Sequence, residues 1–353
     1  MKRAVLFLFL GMFFISCSKK EEKTQFRIGL SMDTLKEERW QKDRDFFVAA
    51  AEELGAQVSV QSANSDDARQ IAQCENLLSE GVDIIVIVPH NGKIMASVVE
   101  AAHQQNIKVL AYDRIINDCD LDYYISFDNV RVGELQSQYL VDRVPKGNYV
   151  LIGGAPTDYN AVLFRQGQMN ILQPYLDRGD IKVVADQWAV DWQPINALKH
   201  TENALTINQN KIDAIVASND GTAGGCIQAL EEQKLAGKVI VSGQDAELAA
   251  CQRILNGTQA MTVYKPIKPL AEKAAEITLK IMQGESITEA SQIVNNGMKD
   301  VPAILLSPVV VDQTNLYEVV VKDGFQKLEE VYKNVPKAQW PAGTTQPASS
   351  EKN

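Results

Sequence analysis

The chain has 353 residues, of which 45% are hydrophobic and 23% are charged. This length predicts about two domains, and a composition near the globular average excludes disorder and fibrous repeats for most of the chain. The formal charge is −10, from 35 basic and 45 acidic residues. This balance argues against a nucleic-acid-binding protein, which needs a basic face to neutralise phosphates.

The first 17 residues, MKRAVLFLFLGMFFISC, predict an export signal. Two basic residues precede an apolar run that is too short for a stable membrane span, and we assign residues 1–16 to a signal peptide. Ser16-Cys17, followed by a polar linker over 17–25, resembles a bacterial lipoprotein signal, in which the cysteine is lipidated and becomes the mature N-terminus. The resemblance implies a periplasmic or otherwise extracytoplasmic protein with a lipid anchor at Cys17. An ordinary signal peptide and a buried helix are the alternatives.

Short β-rich runs alternate with longer amphipathic runs from Phe26 onward. The predicted strands form two series, at 26–32, 57–61, 82–89 and 107–112, and at 148–153, 181–187, 212–217, 238–242 and 259–263. Helices are predicted at about 40–55, 66–80, 92–105, 130–144, 161–176, 194–207, 222–233 and 270–283. The strands are almost continuously apolar, which indicates parallel strands buried on both faces. The sequence therefore predicts an α/β protein with two doubly wound parallel-sheet lobes. The Pro- and Ser-rich tail at 338–353 is predicted to be disordered.

The remaining cysteines are Cys74, Cys119, Cys226 and Cys251. An even number permits disulfides in an exported protein, but their apolar neighbours favour buried free thiols. The sequence contains no CxxC pair and its three histidines are scattered, so no metal site is predicted.

Motifs of nucleotide-binding and hydrolytic enzymes are missing from the sequence. It contains no GxGxxG, no GxxxxGK[ST], no GxSxG and no HExxH. The small-residue run Gly221–Gly225 fits none of these spacings, and we interpret it as a tight helix start. The chain therefore reads as a binding protein without a cofactor rather than as an enzyme.

Polar, charged and aromatic residues cluster at the ends of predicted strands, where ligands bind in open α/β sheets. A loop charge or a helix cap explains any one of them, but their repetition on equivalent strand ends indicates a binding site. A sugar hydroxyl both donates and accepts hydrogen bonds, so carboxylates beside Arg or Lys suit it. Two tryptophans are candidates for stacking on a sugar ring. The residues concerned are Arg39 and Trp40, Asp113 and Arg114, Asn160 and Arg165, Trp192, Asn219, Asp245 and Lys265.

Several segments resemble the type I periplasmic sugar-binding proteins of bacterial ABC transporters, from about Phe26 to Lys327. They are VQSAN (60–64), VLAYDR (109–114), VASND (216–220), SGQDAE (242–247) and TVYKP (262–266). Two further segments, ERWQKDRD (38–45) and YISFDN (124–129), point to the xylose-binding branch. The resemblance implies two lobes joined by a three-crossing hinge, with crossings near 129–132, 263–265 and 301–306. The N-terminal lobe is then 26–131 and 265–302, and the C-terminal lobe is 132–264 and 303–330.

The resemblance also implies a ligand and partners. D-xylose or a close aldose is expected between Trp40 and Trp192, in a cleft that closes by a hinge motion. Its hydroxyls are expected to bond to Arg39, Asp113, Arg114, Asn160, Arg165, Asn219, Asp245 and Lys265. A monomer that delivers sugar to the transmembrane subunit of an ABC permease is expected. A sugar sensor that presents its closed form to a membrane receptor or kinase is the main alternative, and a sugar-converting enzyme is a third.

Overall fold

The structure is a computed structural model and describes residues 25–342 and residue 344. The predicted signal peptide, Cys17 and nearly all of the predicted linker lie outside these residues. So does the end of the predicted tail.

Strands and helices alternate along most of the chain. They are β1 (Arg27–Met32), α1 (Glu38–Glu53), β2 (Gln57–Ser62), α2 (Asp67–Ser79), β3 (Ile84–Ile87), α3 (Ala96–Gln104), β4 (Lys108–Tyr112), β5 (Tyr123–Phe127), α4 (Asn129–Arg143), β6 (Gly147–Gly153), α5 (Tyr159–Asp177), β7 (Ile181–Trp188), α6 (Pro194–Ile207), β8 (Ala214–Ala217), α7 (Asp220–Glu232), β9 (Ile240–Val241), α8 (Leu248–Leu255), β10 (Thr262–Tyr264), α9 (Ile267–Met282), β11 (Gln292–Asn295), β12 (Asp300–Leu306), β13 (Val309–Val311) and α10 (Leu328–Val331).

The first lobe is built on a seven-stranded sheet with the order β11-β12-β5-β4-β3-β1-β2. Its pairs are parallel except for β11 with β12, which is antiparallel. One face is covered by α1 and α9, through residues such as Phe47 and Ala274. The other face is covered by α2 and α3, through residues such as Leu77 and Val99. Burial of both faces explains why the strands are almost continuously apolar.

The second lobe is built on a parallel four-stranded sheet with the order β7-β6-β8-β9. Leu140 of α4 and Leu172 of α5 pack on one face. Leu205 of α6 and Ile227 of α7 pack on the other. The predicted pair of doubly wound α/β lobes is therefore confirmed.

The chain passes between the two lobes three times, after β5, after β10 and after β12. Strands β10 and β13 pair antiparallel as a short ribbon beside these connections. β12 remains in the first sheet as far as Leu306, which pairs with Phe127. The third crossing therefore follows Leu306, whereas the predicted lobe boundary lies at 302/303.

The C-terminal part of the described chain packs on the second lobe. Residues Lys337–Gln339 form a 3₁₀ turn. Trp340 lies against Tyr332 with ring centroids 6.0 Å apart, and its indole N–H donates to the carbonyl of Val335 at 2.9 Å. The tail predicted to be disordered begins at residue 338, and the structure instead shows residues 338–340 as folded, because the turn and Trp340 pack on Tyr332. In residues 25–342 no helix has the length and apolar character needed to span a membrane.

Candidate ligand-binding site

A cavity lies between the lobes, at the carboxyl ends of the strands of both sheets. The lining residues are Glu37, Arg39, Trp40, Asp113, Arg114, Asp158, Asn160, Phe164, Trp192, Asn219, Gln244, Asp245 and Lys265.

Nine of the ten residues predicted to contact a sugar belong to this lining. The tenth, Arg165, lies apart from it. Its guanidinium group forms an ion pair with Asp186, bonds to Gln168 at 2.9 Å and stacks over Trp188. The structure therefore brings together all of the predicted set except Arg165.

Arg39 is the central cation of the cavity. It lies in the first turn of α1 and is 3% exposed. Its Nη2 is 2.7 Å from Asp113 Oδ2 and its Nε is 3.2 Å from Asp43 Oδ2, both within the first lobe. Its Nη1 is 3.3 Å from Asp245 Oδ1, which belongs to the second lobe. Arg39 therefore joins the two lobes through an ion pair in the cavity wall.

Lys265 and Arg114 add two further cations. Lys265 Nζ is 3.2 Å from Asp245 Oδ1 and 3.9 Å from Asp113 Oδ2. Arg114 lies between Asp33, at 2.6 Å, and Asp158 of the second lobe, at 2.8 Å. Each buried cation thus has at least one carboxylate partner, which burial of charge requires.

The carboxylates differ in pKa because their balance of burial and neighbouring charge differs. Burial raises the pKa of Asp113, but Arg39 and Lys265 outweigh it and hold that pKa below its ordinary value. Burial also raises the pKa of Asp158. There its effect is larger than the lowering by the Arg114 cation, so the pKa of Asp158 lies above its ordinary value. Asp113 is therefore the more strongly anionic acceptor of the two.

Two amide side chains are fixed by their own hydrogen bonds. Asn160 donates to the Asp113 carbonyl at 2.9 Å and accepts from Asn129 Nδ2 at 2.9 Å. Asn219 caps α7, where its Oδ1 accepts from the N–H of Thr222 at 2.9 Å. The helix-cap alternative is thus correct for Asn219, and the same residue also lines the cavity.

Aromatic rings form two walls of the cavity. The guanidinium groups of Arg39 and Arg114 lie 4.1 and 5.0 Å from the ring centroid of Trp40. Trp192 meets Phe164 edge-on at 6.3 Å, and its indole N–H donates to Asp158 at 3.2 Å. Faces of this kind suit the apolar C–H surface of a sugar ring.

Gly154 makes room for Trp192, and the sequence did not single it out. A Cβ atom at position 154 lies only 2.0 Å from the Trp192 indole. A side chain there forces the indole to move. This close approach of backbone and ring has no signal in a single sequence.

The lining also includes four residues outside the predicted contact set. Asp158 and Gln244 adjoin predicted residues at strand ends, so position in the sequence could have found them. Phe164 lies one helical turn after Asn160 and reads as core, whereas Glu37 reads as a surface charge. Glu37 Oε2 and Gln244 Oε1 are buried oxygens without a hydrogen-bond partner among the described residues. Because buried oxygens normally accept a hydrogen bond, these two are suited to a polar ligand.

The cavity therefore offers fixed donors, fixed acceptors and aromatic faces, with its cations already neutralised by carboxylates. This set is suited to a small neutral molecule that carries several hydroxyl groups. Among the described residues, no group of three or more His, Cys, Asp or Glu side chains is placed to hold a metal ion.

Comparisons with known proteins agree with this reading of the cavity. Residues 28–286 match the family model described as the periplasmic binding protein domain. The chain is 58% identical to the D-xylose-binding periplasmic protein of Escherichia coli K12, over 87% of this chain and 93% of the relative. It is 54% identical to the protein of the same name from Haemophilus influenzae, over 94% of this chain and 99% of the relative.

One solved structure is similar to this chain over nearly all of its own length. It is a carbohydrate transporter solute-binding protein from Chloroflexus aurantiacus in complex with D-glucose, with a TM-score of 0.82 and 31% identity. The alignment covers 87% of this chain and 98% of that one.

Proposed function

We propose that this chain, which belongs to the periplasmic binding protein family, captures D-xylose or a close aldose between its lobes and delivers it to an ABC permease. The family membership confirms the predicted resemblance and the type I periplasmic-binding-protein fold. It also confirms a solute-binding protein rather than an enzyme, and it implies a periplasmic location.

The observation that carries the proposal is the composition of the cavity wall. Two tryptophans and three neutralised cations line one cavity between the lobes. We propose that Arg39, Trp40, Asp113, Arg114, Asn160, Trp192, Asn219, Asp245 and Lys265 contact the sugar. Arg165 is not in this proposed set. It lies outside the lining of the cavity, where its Nε donates to Gln168.

Titration calorimetry with D-xylose, D-glucose, D-ribose and L-arabinose tests this proposal. We expect a micromolar or lower Kd for D-xylose. For a pentose of about ten non-hydrogen atoms this requires only about 0.8 kcal/mol per atom, which is within the known ceiling. Absence of heat with every aldose would contradict the proposal, and tighter binding of another sugar would revise the ligand.

Cys17 is proposed as a lipid anchor on the basis of the sequence that surrounds it. Labelling of growing cells with a palmitate analogue tests this, since the wild-type chain should take up label and a Cys17→Ser variant should not. Recovery of the wild-type chain in the soluble periplasmic fraction, without label, would contradict it.

The partner and the oligomeric state are also proposals. A monomer with two lobes presents one closed surface, and either a permease or a membrane receptor or kinase can recognise such a surface. Affinity capture in the presence of D-xylose distinguishes the two kinds of partner. A transporter subunit should be enriched if the partner is a permease, and a receptor or kinase should be enriched if the protein is a sensor. Light scattering should give the mass of one chain.

A further inference from the structure

A strained turn of the second lobe covers one side of the cavity. The turn spans Val190–Trp192, and within it Asp191 and Trp192 have φ angles of 53° and 56°. Residues other than glycine rarely adopt this left-handed region, so the surroundings must hold them there. Trp192 is 8% exposed in the cavity wall, whereas Val190 is 53% exposed.

Two residues of the first lobe reach this turn. Lys36 Nζ donates to the Asp191 carbonyl at 3.0 Å, and the same ammonium group is 2.9 Å from Glu37 Oε1. His90 Nε2 lies 3.8 Å from Asp191 Oδ1, a separation that suits a charge interaction or a bridging water. Both contacts cross between the lobes, so opening of the cleft must break them.

His90 is connected to the cavity through its other ring nitrogen. His90 Nδ1 is 2.9 Å from Asp33 Oδ1, and Asp33 in turn holds Arg114 at 2.6 Å. The backbone N–H of His90 donates to Gln70 at 2.8 Å, which fixes the residue on the first lobe. The imidazole therefore lies between a cavity cation and the turn that carries Trp192.

We propose that Lys36 and His90 are positioning residues, which hold the Val190–Trp192 turn over the bound sugar and thereby slow its release. This inference rests on the proposed function, because it concerns how long the sugar remains in the same cavity. Neither Lys36 nor His90 belongs to the lining of the cavity. They act through the turn, so their loss should affect dissociation more than association.

The charge on His90 gives this contact a pH dependence. Three carboxylates face the imidazole, from Asp33, from Asp67 at 3.9 Å and from Asp191, whereas the Arg114 cation opposes its protonation. The Asp33 carboxylate, whose Oδ1 lies 2.9 Å from Nδ1, is the main cause that raises the pKa of His90 above its ordinary value near 6.5.

The direction of the effect follows from linkage. The Asp191 carboxylate approaches the imidazolium when the lobes are closed, so the closed form binds the proton more tightly than the open form. Sugar binding should therefore be tighter below the pKa of His90 and weaker above it.

Stopped-flow measurement of D-xylose dissociation, followed by tryptophan fluorescence, tests the inference. In Lys36→Ala and in His90→Gln we expect dissociation about two- to fivefold faster, the range for partly exposed ion pairs, with association unchanged. Lys36→Arg should restore the slow rate. Lys146→Ala, which removes an exposed ion pair with Asp180 far from the turn, is the matched control.

The pH series separates positioning from a general loss of stability. The wild-type dissociation rate should rise as the pH increases through the pKa of His90, whereas His90→Gln and Asp191→Asn should have flatter profiles. Variants that bind D-xylose with the wild-type dissociation rate and pH profile would overturn the inference while leaving the proposed function intact. A wild-type chain that binds no aldose would overturn both.

Discussion

The charged side chains around the cavity neutralise one another. Arg39 contacts Asp43, Asp113 and Asp245, so its charge is shared among three carboxylates. These carboxylates make the pKa of Arg39 higher than its ordinary value although burial lowers it. A neutral sugar can therefore enter without bringing a counter-ion, and its hydroxyls meet groups whose orientation is already fixed.

Removing one of these carboxylates should weaken sugar binding strongly. We expect Asp113→Ala or Asp245→Ala to reduce D-xylose affinity by about 2–4 kcal/mol, because each change leaves a buried cation with fewer partners. Calorimetry measures the change. Asp180→Ala, at an exposed ion pair, is the control and should bind normally. Normal binding by both cavity variants would contradict the proposed site.

Glu247 lies beside Asp220 in the second lobe, where its backbone N–H donates to Asp220 Oδ2 at 3.0 Å. Burial, and then the charge of Asp220, raise the pKa of Glu247 from its ordinary value of 4.5 to about 8. The folded state thus favours the protonated form. The stability that this proton contributes is complete below pH 4.5 and is lost as the pH rises through about 8.

Glu247→Gln should remove this pH dependence. Above pH 8 the variant should be more stable than the wild type by about 1.4 kcal/mol or more, the equivalent of one pKa unit. The difference should shrink towards pH 4.5. Urea unfolding at a series of pH values measures it, and a difference that does not vary with pH would contradict the assignment.

At the scale of elements, close packing of helices depends on particular glycines. Within the run Gly221–Gly225, Gly225 lies at a close helix contact and Gly221 does not. A Cβ atom on Gly225 lies 2.2 Å from the carbonyl oxygen of Pro194, at the contact of α7 with α6, whereas one on Gly221 has its nearest neighbour at 3.5 Å. This geometry supports the interpretation of the run as a tight helix start rather than a phosphate-binding loop.

The two glycines give a matched pair of variants on one helix. Gly225→Ala should lower the free energy of unfolding by roughly 1–3 kcal/mol, because the helices must move apart. Gly221→Ala should be neutral or stabilising by up to about 1 kcal/mol, since alanine favours helix. Denaturant titration measures both. Equal effects would mean that the α6–α7 contact tolerates a methyl group.

The sequence predicted most elements because strands buried on both faces and amphipathic helices have clear patterns. Strand β1 at Arg27–Met32 and helix α6 at Pro194–Ile207 differ from their predicted ranges by one residue at most. Strand β12 was not among the predicted strands. It contains Pro302, which argues against a strand, and the structure accommodates it beside the edge strand β11.

The candidate site was predictable where its residues follow strands. Asp113 and Asp245 lie at strand ends in left-handed conformations, with φ of 60° and 97°, which aspartate tolerates better than most residues. Arg165 follows the same local pattern, but its partner Asp186 lies on the neighbouring strand β7 and draws it away from the cavity. A single sequence contains no signal for such a tertiary contact.

At the scale of the whole molecule, the structure has its lobes closed. Ion pairs and hydrogen bonds cross the cleft, among them Arg39 with Asp245 and Arg114 with Asp158. A sugar that contacts both lobes stabilises this closed form by the difference in its affinity for the two forms. The contacts that already exist between the lobes reduce the additional free energy that the sugar must supply.

This closure predicts a change in overall size. Small-angle X-ray scattering should give a smaller radius of gyration with saturating D-xylose than without it. In Asp245→Ala the sugar-free chain should be at least as expanded as the wild type, because one interlobe ion pair is lost. An unchanged radius of gyration on addition of sugar to the wild type would indicate that the lobes remain closed throughout.

The four thiols of the described chain are free and buried, and they lie in different parts of the molecule. Cys74 and Cys119 pack in the first lobe, Cys226 packs between α7 and the second sheet, and Cys251 packs near the C-terminus. Burial raises the pKa of Cys74 and of Cys226 to about 12, so they carry almost no reactive thiolate while folded. The rate at which a thiol reagent modifies each of these cysteines therefore reports how often that region of the protein opens.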